Sequence, residues 1–168
     1  MCAELGTAPK NAEEIYVGIG PGSYTGLRVG IATALGLAYG TGARLRSVPS
    51  FEALAYEGLR EKEEAFVAWN ARAGRFYFAH YRRLEADVEP ILAPKAITPE
   101  ELRERLQTKL SIFADDTLIE AAQLDAAQSA RARMDRMPQA SAILALGPLR
   151  AERELDTLEP LYLREHGE

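Results

Sequence analysis

The sequence predicts an α/β fold, and three features lead to that prediction. Segments typical of strands and of helices alternate along all 168 residues without an internal repeat. Residues 14–20, rich in β-branched and aromatic side chains, lead into a glycine-rich turn and then a helix. Residues 65–70 and 74–84 are typical of two strands joined by a short turn, which indicates mixed rather than purely parallel sheets.

Local signals define the other elements. A helical pattern over residues 24–39 ends at Gly40-Thr41-Gly42, and residues 44–48 form a short strand. Ser50 is expected to cap a helix that continues to about Leu59. Thr98 and Thr117 are each followed three residues later by Glu, so a capping box is expected to start a helix at both places.

Composition limits the classes of function. Apolar residues make up 47% and charged residues 27%, as in an ordinary globular protein. The net charge of −5 argues against a broad surface that neutralises phosphates, although local basic patches stay open. A single cysteine, Cys2, the lack of an apolar run of about 20 residues and the lack of a secretion signal predict a cytoplasmic protein that does not insert into membranes.

The glycine-rich turn fits none of three common catalytic motifs. Gly26 is followed by Leu27 rather than the Lys of a phosphate-binding loop, and the spacing of a dinucleotide fingerprint or a nucleophile elbow is also absent. The interpretation that remains is a structural turn capped by Ser23 or Thr25, with generic anion binding as the alternative. The residues of this turn are Gly20, Pro21, Gly22, Ser23, Thr25 and Gly26.

The helix after the turn has no charged residue beyond Arg28. Leu27, Ile31, Leu35 and Ala38 form one apolar stripe, while the opposite side carries small and nearly uncharged residues. A helix without a polar face is expected to be buried on both sides, so its second side meets another lobe or another protein. Burial entirely within this chain is the alternative. The residues predicted for a partner interface are Leu27, Val29, Ala32, Thr33, Gly36 and Gly40.

The stretch from Val17 to Gly30, VGIGPGSYTGLRVG, resembles the signature of the TsaB family, also called YeaZ. Three weaker motifs follow in the same order as in that family. They are VPSFEALA from Val48, NARAGRFY from Asn70, where the family usually has Asp, and the terminal PLYLR from Pro160 to Arg164.

This resemblance implies an actin-like, ribonuclease-H-like fold of two lobes, assigned here to residues 1–62 and 63–168. It also implies a role in threonylcarbamoyladenosine modification of tRNA, in which TsaD transfers the threonylcarbamoyl group and TsaE is an ATPase that engages the complex. TsaB is the member without catalysis or cofactor, and it activates TsaD through a helical interface. The expected partners are therefore a TsaD-like enzyme in a heterodimer, a TsaE-like ATPase through that complex, tRNA indirectly, and a second copy in a homodimer. Because members usually open with strands that carry an Asp-Thr motif, the first lobe is expected to be truncated at its N-terminus.

Two other classes of function are weighed against this one. An actin-like ATP-binding enzyme or kinase would need phosphate-binding loops and carboxylates for magnesium. Asp115-Asp116 follows a strand, where such carboxylates occur, but the favoured interpretation is structural, because the pair leads into the Thr117 capping box and acidic residues there favour the helix dipole. A glycoprotease-type hydrolase would need paired histidines, but only His80 and His166 are present and they are far apart. Charged residues on solvated faces are the default interpretation of the arginine groups, and contact with tRNA or a partner is the alternative. These arginines are Arg72, Arg75, Arg82, Arg83, Arg131, Arg133 and Arg136.

Overall fold

The structure is a computed structural model that describes residues 8–133 and 137–163. Within these residues the chain alternates strands and helices, with 3₁₀ turns at Pro9–Asn11 and Gly147–Leu149. The strands are β1 (Glu14–Gly18), β2 (Arg44–Val48), β3 (Glu64–Arg72), β4 (Arg75–Arg83), β5 (Val88–Ile97), β6 (Ser111–Ala114), β7 (Ala132–Arg133) and β8 (Glu152–Arg153). The helices are α1 (Tyr24–Thr41), α2 (Ser50–Gly58), α3 (Pro99–Arg105), α4 (Leu118–Ala122), α5 (Ala126–Ser129) and α6 (Ala140–Leu146).

The chain divides into two compact units. Among the described residues, the first contains residues 8–50 and Ile143–Leu161, and the second contains residues 51–133, 137–142 and 162–163. Most of α2 therefore belongs to the second unit, and residues 143–161 belong to the first unit although they lie late in the chain. The assignment of two related lobes to residues 1–62 and 63–168 stays a prediction.

The first unit is built on a three-stranded sheet in the order β1-β2-β8. β1 runs parallel to β2, with Glu14 opposite Arg44 and Gly18 opposite Val48, and β8 is antiparallel to β2. One face of this sheet packs against α1. The buried residues of that core are Val17, Ile19, Ile31, Ala34, Ala38, Leu45 and Leu158.

The second unit is built on a five-stranded sheet in the order β5-β4-β3-β6-β7. β3 pairs with β4 antiparallel and with β6 parallel, so the prediction of mixed sheets is confirmed. One core of this unit includes residues of α2 such as Phe51 and Leu54, and another includes Leu102 of α3 and Leu118 of α4.

The helix ends in the structure can be compared with the capping residues predicted from the sequence. The capping box at Thr98 is present in full, since the Thr98 hydroxyl accepts from the Glu101 N–H and the Glu101 carboxylate accepts from the Thr98 N–H. A second complete capping box at Asp125 and Gln128 starts α5 and was not predicted. α1 ends at Thr41, where Gly42 adopts a left-handed conformation with φ of 73°. Among the helices that the structure describes, none has both the length and the apolar character needed to cross a bilayer.

Gly147 tests the packing of the first unit. A Cβ atom at this position would overlap the ring of Tyr16, so we expect Gly147→Ala to lower the free energy of unfolding by about 1–3 kcal/mol. Gly30→Ala is the matched control, because a Cβ at Gly30 of α1 meets no atom within 4 Å. The control is expected to stabilise the protein by about 1 kcal/mol through helix propensity. Urea unfolding of both variants measures the difference, and equal stabilities would contradict the packing that we describe.

Candidate functional site

The glycine turn is anchored to the start of α2. The Ser50 N–H donates to the Gly20 carbonyl at 2.7 Å, and the Gly20 N–H donates to Ser50 Oγ at 3.1 Å. The Ser50 hydroxyl, predicted to cap α2, is therefore engaged by the turn. Gly20 has φ of 100°, and a Cβ there would lie 2.8 Å from Leu27 Cδ1. Glycine is required at this position both by the backbone conformation and by the side chain that lies over it.

The turn leads directly into the first turn of α1. The Gly20–Pro21 peptide bond is cis, and Ser23 is the N-cap residue, with its Oγ accepting from the Gly26 N–H at 3.4 Å. Thr25 and Gly26 follow inside the helix and are exposed. The structure thus shows how Gly20-Pro21-Gly22 and the Ser23 cap set the direction in which α1 begins.

The two sides of α1 have opposite environments. Ile31, Ala34 and Ala38 are buried against the sheet, and Leu35 is half-buried beside them. Five of the six residues predicted for a partner interface are exposed on the opposite side, and they are Val29, Ala32, Thr33, Gly36 and Gly40. The alternative of burial entirely within the chain is therefore wrong.

Leu27, the sixth predicted interface residue, has a different position. Its side chain is half-buried and lies over the turn, within contact distance of the positions that a Cβ would take at Gly20 and Gly22. Leu27 therefore contributes to the turn in this structure. Its place four residues before Ile31 puts it on the buried stripe.

The exposed side of α1 is apolar and has few unsatisfied polar groups. The Thr33 hydroxyl donates to the Val29 carbonyl within the same helix at 2.8 Å, which leaves the methyl group of Thr33 as its outer surface. No atom lies within 4 Å of a Cβ placed at Gly36 or Gly40, so the backbone is open to close approach. Val29 remains 61% exposed. Below, the exposed face of α1 means Val29, Ala32, Thr33, Gly36, Leu37, Tyr39 and Gly40.

Leu37 and Tyr39 were missed by the sequence prediction. Leu37 is 43% exposed and Tyr39 is 71% exposed, and at 100° per residue they flank the row of small residues on its two sides. A helical wheel drawn around Gly36 would have found both. A surface on which two large apolar side chains flank a row of small ones is typical of helix–helix contacts.

Comparison with known proteins supplies the family. A family model described as TsaD, tRNA N6-adenosine threonylcarbamoyltransferase, matches residues 1–157. A Bacillus subtilis protein described as tRNA threonylcarbamoyladenosine biosynthesis protein TsaB is 26% identical over 164 residues, which is 94% of this chain and 72% of that protein. The TsaB of Escherichia coli is 33% identical over 105 residues, which is 61% of this chain.

The chain belongs to the TsaB/YeaZ family.

A solved structure of YeaZ from Pseudomonas aeruginosa has the same fold as this family member. It superposes with a TM-score of 0.79 at 21% sequence identity, covering 97% of this chain and 80% of that one. The actin-like, ribonuclease-H-like fold class is therefore confirmed. The aligned part of the chain spans 46% of the length of the Escherichia coli TsaB.

Neighbouring side chains hold His80 in place on β4. Its Nε2 lies 3.0 Å from Glu64 Oε2, and its ring packs at 4.9 Å against Phe66. Glu64 also accepts two hydrogen bonds from Arg82, and these are the main cause that lowers the pKa of the Glu64 carboxyl, with the charge of His80 contributing less. His166, the second histidine considered for a metal site, lies outside the described residues, as does Cys2.

Asp115 joins the ends of β3 and β6. Its Oδ2 accepts from the Asn70 N–H at 2.8 Å, and its Oδ1 accepts from the N–H and hydroxyl of Thr117 at 3.2 and 3.1 Å. The Asn70 side-chain amide also donates to Thr117 Oγ1. The predicted capping box at Thr117 is therefore wrong, because the Thr117 hydroxyl bonds Asn70 and Asp115 and does not cap α4. Both oxygens of Asp115 are engaged by donors from the chain itself.

Four of the seven candidate arginines bond groups of their own unit. Arg82 pairs with Glu64 and Glu89, and Arg83 donates to the Asp87 carbonyl and lies over the ring of Tyr56. Arg131 donates to the carbonyls that end α3 and precede β6, and Arg133 donates to the Gly58 carbonyl. Arg72 lies at the exposed β3–β4 turn, where it adopts φ of 63°, and Arg75 is half-buried. Arg136 and Arg164 lie outside the described residues.

Gly20 tests the geometry that orients α1. We expect Gly20→Ala to cost about 1–3 kcal/mol of stability, because alanine rarely adopts this φ and its methyl would meet Leu27. Gly22→Ala is the control, since its Cβ would lie 3.8 Å from Leu27, an ordinary contact distance, and we expect a change within about 0.5 kcal/mol. Thermal and urea unfolding measure both, and a Gly20→Ala protein as stable as the control would contradict our account of the turn.

Proposed function

We propose that this chain is a non-catalytic partner of a TsaD-like enzyme and supports threonylcarbamoyladenosine modification of tRNA by binding that enzyme through the exposed face of α1. Family membership supports the place in tRNA modification, because the TsaB relatives are described as biosynthesis proteins for this nucleoside. The observation that carries the proposed mode of binding is an uncharged, apolar helix face left exposed by the chain itself.

The exposed face offers a gain in free energy on binding. Burying a fully exposed valine, leucine or aromatic side chain gives roughly 1.5–3 kcal/mol, and a side chain that is already partly buried gains a correspondingly smaller amount. Val29, Leu37 and Tyr39 would supply most of it. Gly36 and Gly40 let a partner helix approach the α1 backbone, and Thr33 costs little to bury since its hydroxyl is already bonded.

Side-chain chemistry favours a role without catalysis. Asp115, the leading candidate for a magnesium carboxylate, has both oxygens bonded by Asn70 and Thr117. His80 is held against Glu64 and Phe66 on β4, and the sequence has no His-x-x-x-His pair. These features weigh against an ATP-binding enzyme or kinase, and more strongly against a glycoprotease-type hydrolase. A TsaE-like ATPase joining the assembled complex, indirect contact with tRNA and a cytoplasmic location remain parts of the same proposal.

Reconstitution tests the proposed function directly. The chain is co-expressed with the TsaD-like enzyme of the same organism, and the modification of tRNA is measured with and without it. We expect a stable complex and modification that depends on the chain. Full modification by the enzyme in the absence of this chain, or the failure of the two proteins to associate, would contradict the proposal.

A matched pair of substitutions locates the interface. Ala32→Arg places a charge in the exposed face of α1, whereas Ala121→Arg makes the same change on the exposed side of α4 in the second unit. We expect Ala32→Arg to weaken binding of the TsaD-like enzyme by at least tenfold, because a guanidinium would be buried in an apolar contact, and Ala121→Arg to bind normally. Binding is measured by calorimetry, with circular dichroism to check folding. Equal affinities would place the interface elsewhere.

Catalytic silence is a separate expectation. The purified chain alone should neither hydrolyse ATP nor cleave glycopeptides, since the turn matches no phosphate-binding loop and Asp115 is engaged in structure. Nucleotide release and peptide cleavage are followed after repeated purification. Turnover that persists and is abolished by Asp115→Asn would show that the chain is an enzyme.

A further inference from the structure

Two arginines face each other across the β3–β4 turn without a partner. The register of β3 and β4 places Arg72 directly opposite Arg75. Arg72 is exposed and Arg75 is half-buried, and among the described residues neither guanidinium forms a hydrogen bond or an ion pair. Like charges directly opposite each other destabilise a strand pair. The turn therefore carries an excess of positive charge that no ion pair within the described part of the chain relieves.

Carboxylates balance the arginine at the other end of this hairpin. Arg82, near the end of β4, pairs with Glu64 and Glu89. At the β3–β4 turn the nearby carboxylate of Asp115 is used differently, because its two oxygens accept from the Asn70 N–H and from Thr117. The positive charge at the turn is thus left available for an anion from outside the chain.

The backbone that carries Arg72 is held in an uncommon conformation. Arg72 and Ala73 have φ of 63° and 48°, in the left-handed region that residues other than glycine rarely adopt. The register shifts between Asn70 and Arg72, and the Arg72 N–H donates to Asn70 Oδ1 at 2.8 Å. Asn70 is itself fixed by its bonds to the segment that follows β6. Strained backbone that is braced in this way is typical of binding sites.

Small residues form the tip of the turn. Ala73 and Gly74 are exposed, and a Cβ placed at Gly74 would meet no atom within 4 Å. A two-stranded ribbon that ends in two small residues can rest in the wide and shallow minor groove of an RNA helix. The guanidinium groups beside the tip can then reach phosphates, which arginine binds through a planar fork of donors.

We infer that the β3–β4 turn, residues 70–75, contacts the backbone of tRNA directly, with Arg72 and Arg75 each binding a phosphate. The choice of tRNA as the ligand rests on the proposed function, to which this inference adds a direct contact. A net charge of −5 is compatible with it, because two local contacts do not need a broad basic surface. RNA is favoured over an acidic protein surface, since the tip presents no large apolar side chain of the kind that anchors protein contacts.

Titration of the full chain with RNA tests the contact without the TsaD-like enzyme. The probe is a stem–loop RNA taken from one arm of a tRNA of the same organism, and NMR follows the backbone amides at low salt. We expect the largest shifts in residues 70–75, and much weaker ones when polyglutamate replaces the RNA. The absence of shifts in this turn with RNA, or an equal response to polyglutamate, would overturn the inference.

A matched pair of substitutions tests the role of charge. Arg72→Gln and Arg60→Gln each remove one positive charge from an exposed arginine that forms no ion pair among the described residues. Arg60 precedes β3, whose nine residues place it roughly 25 Å from the turn.

The affinity for the stem–loop is measured by fluorescence anisotropy over a range of salt concentrations. We expect Arg72→Gln to weaken binding about eightfold at about 0.1 M salt, and to reduce the slope of log K against log salt by about 0.9. Arg60→Gln should change neither quantity. Equal slopes for the two variants would overturn the inference.

Arg72→Gly separates binding from folding. Glycine adopts the left-handed conformation readily, so this variant should unfold at a urea concentration at least as high as the unchanged chain, while its RNA affinity falls as in Arg72→Gln. Normal RNA affinity of Arg72→Gly would contradict the inference.

The same variants in complex with the TsaD-like enzyme and full-length tRNA distinguish this inference from the proposed function. Normal association with an unchanged salt slope for Arg72→Gln would contradict the inference alone. Failure of the two proteins to associate would contradict the proposed function, and the stem–loop titration of the chain would still decide whether the turn binds RNA.

Discussion

The left-handed conformation of Gly20 under the Leu27 side chain is the constraint on which the arrangement of the first unit depends. Two hydrogen bonds to Ser50 fix the turn, and the Ser23 cap starts the helix immediately after it. With the start of α1 fixed, its rotation about its own axis is fixed too. That rotation decides that Ile31, Ala34 and Ala38 face the sheet while the small residues face outward.

The small residues on the exposed face of α1 lower the stability of the helix, and other interactions of the same helix offset that loss. Glycines inside a helix disfavour it by about 1 kcal/mol each relative to alanine. Burial of the other side of α1 against β1 and β2 compensates, and the hydroxyls of Thr33 and Thr41 bond carbonyls of their own helix. The exposed face of α1 is therefore maintained by the chain without any partner. Its small residues would allow the backbone of a partner helix to approach the backbone of α1 closely.

Much of this organisation could be predicted from the sequence, because its signals are local. The strand–turn–helix order, the stop at Gly42, the capping box at Thr98 and the mixed sheet all follow from neighbouring residues. The error occurred where a side chain bonds a distant residue. Thr117 was predicted to cap α4, but its hydroxyl accepts from the Asn70 side-chain amide, 47 positions earlier in the chain, and donates to Asp115. The exposed side of α1 could be predicted from the sequence, whereas the exposure of Leu37 and Tyr39 was missed because it depends on how the helix is rotated.

The lack of charge on the exposed face of α1 has a kinetic and thermodynamic consequence. After Arg28 the helix carries no ionisable group except Tyr39, so nothing on this surface attracts a partner from a distance. Association through it would proceed at the unsteered rate of about 10⁵–10⁶ M⁻¹s⁻¹ and would depend little on ionic strength. The heat capacity of binding would be negative, and affinity would come from slow dissociation of a well-packed helix pair. A complex formed in this way is held together by shape complementarity and the exclusion of water. It is suited to a long-lived assembly more than to rapid exchange of partners.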